Sequence, residues 1–197
     1  MHAIAAYEYQ TLHVSVSQNI ATVTLSRPQK KNALSFQMVD ELIRVAGHIS
    51  KDKSLRAVIL KGSEGTFCAG IDLGDLNNPK NQLYAMWELI KPKQSLFQRV
   101  CLVWRDLPVP VIAVLEGHCI GAGMQLALAC DVRISHPDCK LSIMEAKWGL
   151  VPDMGLTQSA LGVVREDVLK EMAMTARIVD ATEGKELGLV SHCTEMP

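Results

Sequence analysis

The chain shows no excess of either charge. Its 197 residues carry 20 Lys and Arg against 21 Asp and Glu, a net charge of −1. That balance leaves no broad basic face for a phosphate backbone, so nucleic acid is not an expected partner. Long apolar runs are also missing. The stretch Gly117 to Cys130, free of Asp, Glu, Lys and Arg, falls short of the roughly 20 apolar residues that span a bilayer. The N-terminus MHAIAAYEYQ lacks the basic start and apolar run of a secretory signal. No membrane and a cytoplasmic setting are therefore expected. The six cysteines, Cys68, Cys101, Cys119, Cys130, Cys139 and Cys193, contain no C-x-x-C pair. They read as small buried apolar residues rather than a disulfide framework. His118-Cys119 has no second close-spaced pair to complete a metal site, so no metal is expected.

What is present is a globular composition, 48% apolar and 21% charged, long enough for one domain with a sizeable core. LHVSVS and IATVTL (12–25) alternate with period two around Gln18-Asn19 and predict a hairpin. Ser35 caps a predicted helix with Val39, Leu42, Ile43, Ala46 and Ile49 on one face. LRAVIL (55–60) and VIAVL (111–115) are continuous apolar strands of the kind covered on both faces in a parallel sheet. NNPKN (77–81) reads as a polar loop. Residues 82–107 read as helix broken at Pro92, VRIS and LSI as short strands, MEAKWGLVPDMG as irregular, and 156–187 as mostly helix. Alternating strands and helices imply an α/β fold with right-handed crossovers.

Two glycine-rich segments follow buried strands. Gly117, Gly121 and Gly123 in EGHCIGAG permit a sharp turn and expose backbone N–H groups at a helix start. The bland alternative is that they only let a helix pack closely on a sheet. The missing third glycine of G-x-G-x-x-G and the late place of the loop in the chain argue against a dinucleotide site. The second segment is TFCAGIDL, with small Cys68, Ala69 and Gly70 and with Asp72 as a helix cap. Both segments fall at the carboxyl edge of a parallel sheet, where α/β ligand sites form. Two convergent N–H donors there make an oxyanion hole.

R-P-x-x-x-N-A-L (27–34), F-C-A-G-I-D-L (67–73), G-x-C-I-G-A-G-x-Q-L-A-L-A-C-D-x-R-I (117–134), E-x-x-x-G-L-V-P-D-M-G (145–155) and a final G-L-V (188–190) after Asp180-Ala181 occur in order along the chain. Together they resemble the crotonase, or enoyl-CoA hydratase/isomerase, superfamily. The resemblance implies a crotonase-like spiral of ββα units over 1–197 as one core domain, C-terminally short because the usual C-terminal helical region is lacking. It implies an acyl-CoA substrate with no further cofactor, and assembly as a homotrimer or hexamer.

By position, the resemblance puts the oxyanion-hole N–H groups on Ile71 and Ala122. It puts CoA and substrate contacts on Lys31, Ala33, Ala69 and Gly70, and on Asp72, Leu73 and Gly121. Where hydratases use two glutamates, one is Glu145 and the other position holds Gln125, an amide that neither takes nor gives a proton. Asp153, eight residues beyond Glu145, matches the functional aspartate of the dienoyl-CoA isomerase and aryl-CoA dehalogenase branches. Glu145 and Asp153 thus stand as the candidate acid/base pair. The implied activity is hydration or double-bond isomerisation of an enoyl-CoA. The contrasting reading is an inactive CoA-binding or assembly homologue. The bland alternatives are an ion pair of Glu145 with Lys147 or Arg133, a turn or cap role for Asp153, core positions for Trp87, Trp104 and Trp148, and a structural His118.

Overall fold

The computed structural model describes residues 7–90 and 93–195; the predicted break at Pro92 lies outside them. β1 (Leu12–Ser17) and β2 (Ile20–Leu25) form the expected hairpin, paired from Leu12↔Leu25 to Ser17↔Ile20. Gln18 and Asn19 carry φ of 49° and 63°, the left-handed pair that a two-residue turn matched to strand twist requires. β2 buries Ala21, Val23 and Leu25 on one face.

The chain then crosses through α1 (Phe36–Ile49), capped by Ser35 Oγ accepting from the Met38 N–H at 3.2 Å. It returns as β3 (Ala57–Gly62), parallel to β2. β4 (Val111–Leu115), β6 (Val132–Ser135) and β8 (His192–Cys193) extend the sheet in the order β1-β2-β3-β4-β6-β8, parallel throughout after the hairpin. Leu42, Val58, Leu60, Trp104, Ala113 and Leu126 are among the residues filling the core.

A second, shorter ladder runs beside this sheet. β5 (His118–Ile120) pairs in parallel with β7 (Lys140–Ser142), and single bridges join Leu34 to Ile71, Cys68 to Cys119 and Leu141 to Val179. Successive turns of the chain therefore contribute one long strand and one short one, the crotonase-like spiral.

Two expectations change. Asn77 and Asn78 turn the chain after the single turn α2 (Leu73–Leu76), but Pro79 to Asn81 are the first turn of α3, which spans Pro79–Ile90. Pro79 sits at the first helical position, where its missing N–H costs nothing, and Asn78 Oδ1 accepts from the Lys80 N–H. β5 is too short to show an alternating pattern and forms because β7 pairs with it. Residues 156–187 are mostly helix, as expected, in three pieces: α6 (Leu156–Ser159), α7 (Glu166–Thr175) and α8 (Ala181–Glu186), with Ala176 left-handed after α7. α4 (Leu96–Arg105) opens with a reciprocal Ser95–Gln98 capping box, and α5 (Ala122–Leu128) follows the glycine turn. Among the described residues no helix is long and apolar enough to cross a membrane, and no cluster of His, Cys, Asp or Glu is arranged to hold a metal.

Candidate active site

A cavity of about 380 Å³ opens where the two glycine segments meet the 144–154 loop. Loop 69–71, Leu73, Leu76, Ala85 and Phe97 form one side, and Ile120, Gly121, Ala122 and Gln125 another. Met144, Glu145, Trp148 and 149–154 apart from Pro152 complete it.

Ile71 reaches this wall edge-on. In its bridge with Leu34, the Leu34 N–H donates to Gly70 O at 2.8 Å and the Asp72 N–H to Leu34 O at 2.9 Å. In a parallel bridge those flanking groups use one edge of the strand, so Ile71's own N–H lies on the other edge. Gly70 permits this course with φ +110°, a conformation that glycine adopts without strain. On the facing side, Gly121 turns at φ +53° and donates its N–H to Ser142 O, and Ala122 begins α5. As a first helical residue Ala122 has no partner for its N–H within the helix. Among the described residues neither the Ile71 nor the Ala122 N–H is hydrogen-bonded.

The segments are held together tightly. A β-carbon on Gly123 would meet Cys68 O at 2.7 Å, so the packing role of this glycine is real. Gly121 lies against Glu145, where a β-carbon would come 3.3 Å from Oε1. Buried Asn32 accepts from the Arg27 N–H and donates to Ser63 O and Thr66 O, tying the β2 end to the loop after β3.

Glu145 is 9% exposed. Its Oε1 accepts from Gln125 Nε2 at 2.7 Å, and its Oε2 is buried with no hydrogen-bond partner among the described residues. Burial lifts its carboxyl above the ordinary range, the Gln125 hydrogen bond opposes this, and the nearby Asp153 charge adds to the rise. No ion pair forms with Lys147 or Arg133; Arg133 instead donates to Leu189 O and Cys130 O. Asp153 is exposed by surface area yet sits among the atoms of the cavity wall, and that partial desolvation raises its carboxyl too. It does not cap α6, whose first turn follows Gly155.

Of the remaining residues singled out from the sequence, Ala69, Gly70, Leu73 and Gly121 line the cavity. Lys31, Ala33 and Asp72 do not. Lys31 is exposed and its carbonyl accepts from the Ala69 N–H, while buried Ala33 accepts from Arg27 Nη1 through its carbonyl. Asp72 Oδ2 accepts from Arg27 Nη2 at 2.8 Å, and Oδ1 caps α2. Trp104 is a core residue, but Trp148 stands at the cavity and Trp87 is exposed. His118 does not line the cavity, and burial together with Lys31 and Lys140 lowers its imidazole's proton affinity.

Residues 15–195 match the family described as enoyl-CoA hydratase/isomerase. The chain belongs to that family. It is 37% identical over 179 residues to the Bacillus subtilis protein YngF, named as an enoyl-CoA hydratase/isomerase, covering 90% of this chain and 66% of that one. It is 33% identical over 196 residues to the rat mitochondrial Δ(3,5)-Δ(2,4)-dienoyl-CoA isomerase, covering 96% and 60%. A Thermobifida fusca protein described as an enoyl-CoA hydratase, solved in complex with CoA, superposes with a TM-score of 0.83 at 32% identity, covering 99% of this chain and 74% of that one. The chain spans less than two thirds of the length of these curated relatives.

Proposed function

We propose that this member of the family shifts the double bond of an enoyl-CoA thioester. Ile71 and Ala122 N–H groups hold the thioester oxygen, and Glu145 carries the proton. What carries this reading is one arrangement: two unpaired N–H groups and a buried carboxyl with a raised proton affinity line one cavity. Ionised Glu145 takes a proton from C2 of a 3-enoyl thioester, and the C–H electron pair moves into the carbonyl to give a dienolate. The proton then passes from Glu145 to C4, the C3=C4 bond becomes C2=C3, and the carboxylate is regenerated. Each preorganised donor to the enolate oxygen contributes about 3 kcal/mol by comparison with other oxyanion holes. The reaction needs no cofactor beyond the CoA of the substrate.

Gln125 favours isomerisation over hydration, because adding water calls for a second proton-transferring group where the chain has an amide. Asp153 is the remaining carboxyl on the wall and serves as an auxiliary acid. Among the described residues the lining is mostly apolar, which favours an apolar acyl group. We also propose the trimeric or hexameric assembly implied by the motifs and, from the free thiols, a reducing compartment such as the cytoplasm.

The test is ultraviolet absorbance with 3-enoyl-CoA. Conjugation should raise absorbance with the wild-type protein, and Glu145→Gln should lose about 10²- to 10⁴-fold in rate while still binding CoA thioesters. Undiminished turnover by that variant rejects the assignment of Glu145. Loss of crotonyl-CoA absorbance without isomerisation points to hydration, and thioester binding with no turnover to the inactive homologue.

A further inference from the structure

The least expected residue of the site is Gln125, whose side chain is 1% exposed and spans two segments. Its Oε1 accepts from the Met154 N–H at 3.0 Å and its Nε2 donates to Glu145 Oε1 at 2.7 Å. The orientation of the amide follows from chemistry. A backbone N–H only donates, so the carboxamide oxygen must face Met154 and the NH₂ must face Glu145. An amide nitrogen's lone pair is delocalised into its carbonyl and does not accept a proton, so Glu145 Oε1 accepts in this contact. The carboxyl's remaining oxygen, Oε2, has no partner among the described residues.

We propose that Gln125 is a positioning residue that fixes the Glu145 carboxyl against the Met154 segment, holding Oε1 as a hydrogen-bond acceptor in one orientation. This rests on the isomerase reading and deepens it: a carboxyl held in one orientation takes the proton at C2 and returns it to C4 on the same face of the acyl chain without turning. Met154 completes the device, since its N–H prevents the amide from turning over. The titratable groups facing Glu145 are Asp153 from its own loop and the Cys101 thiol of α4, which burial keeps protonated.

The experiment uses Gln125→Leu and Gln125→Glu. With leucine the donor to Oε1 is gone and the carboxylate loses its stabilising hydrogen bond, so Glu145 ionises at higher pH. The acidic limb of the kcat/KM profile should move upward, with kcat reduced about 10²-fold and KM nearly unchanged. With glutamate, the protonated acid replaces the amide as donor; activity should survive at low pH and fall at high pH as both carboxyls ionise. Carbon-13 NMR titration of the labelled Glu145 carboxyl, assigned against Glu145→Gln, reads the same shift without turnover. An inactive wild-type protein thus fails the isomerase reading while leaving Gln125 decided. An acidic limb and a carboxyl titration unchanged in Gln125→Leu overturn the proposal, whatever the loss in rate. If the leucine variant does not fold, a Gln125→Glu protein with a wild-type pH profile and an unmoved Glu145 titration overturns it.

Discussion

Gly123 and Cys68 touch backbone to backbone. A β-carbon at residue 123 would lie 2.7 Å from Cys68 O and 2.8 Å from Cys68 Cβ, and this contact sets the separation of the segments that carry the Ile71 and Ala122 N–H groups. Gly123→Ala must push α5 away from the 67–71 loop. The expected cost is about 1–3 kcal/mol of stability from overpacking, with a fall in kcat larger than any rise in KM. Denaturant melts and steady-state kinetics measure both.

The proposed role of Glu145 comes with a cost in stability. Because burial first, and then Asp153, raise its carboxyl in the folded protein, ionising it weighs on the native state. That burden is absent below the ordinary Glu value of about 4.3. It grows as pH rises and is complete above the raised folded value. Glu145→Gln should therefore melt at a higher temperature than the wild type at about pH 8, with the difference shrinking toward pH 4. Calorimetry across that range checks the sign.

Asp72 behaves oppositely. Burial raises its carboxyl, but hydrogen bonds from Arg27 and the Asp75 N–H, with the Arg27 and Lys30 charges, outweigh this and hold it below the usual range. Its contribution is present above the unfolded Asp value of about 3.9 and is lost as pH falls through the lower folded value. Asp72→Asn should cost about 1.5–3 kcal/mol at neutral pH, the worth of a charge-assisted hydrogen bond, and flatten the acid limb of the stability curve.

The thiols give a rapid test of packing. Cys68, Cys101, Cys119, Cys130 and Cys139 are buried, whereas Cys193 is partly exposed. Burial pushes the Cys68 and Cys130 thiols to about 12 and Cys139 to about 11. A thiol-specific reagent should label the native protein at Cys193 and reach all six cysteines only after unfolding.

The long strands were legible because each carries its own signal: period-two alternation around Gln18-Asn19, and unbroken apolar runs at 57–60 and 111–115. Ser35 announced α1 as a cap with an apolar face behind it. β5 gave no such signal, since three residues hold too little pattern and its pairing comes from residues 140–142. The body of α3 from residue 82 was legible, and only its first turn, Pro79 to Asn81, was hidden in the polar NNPKN stretch. Ile71, Ala122 and Glu145 were reachable through ordered motifs. The Gln125 bridge was not, because it joins residues 20 and 29 positions away. Asp72 illustrates the reverse case, a motif residue whose carboxylate is occupied by Arg27 and a helix cap rather than turned to the cavity.

The Leu34–Ile71 bridge gives the cavity a mechanical linkage. One peptide segment is clamped on one edge by Leu34 while its other edge bears the free Ile71 N–H, so the donor cannot swing without shearing two hydrogen bonds. Leu34 directly precedes the Ser35 cap of α1, and that helix lies against α4, which also contributes Phe97 to the cavity. An oxygen held by the Ile71 N–H, as proposed, would thereby be coupled to the helix layer, and slowed hydrogen exchange at the Leu34 and Asp72 amides on thioester binding would report it from outside the cavity.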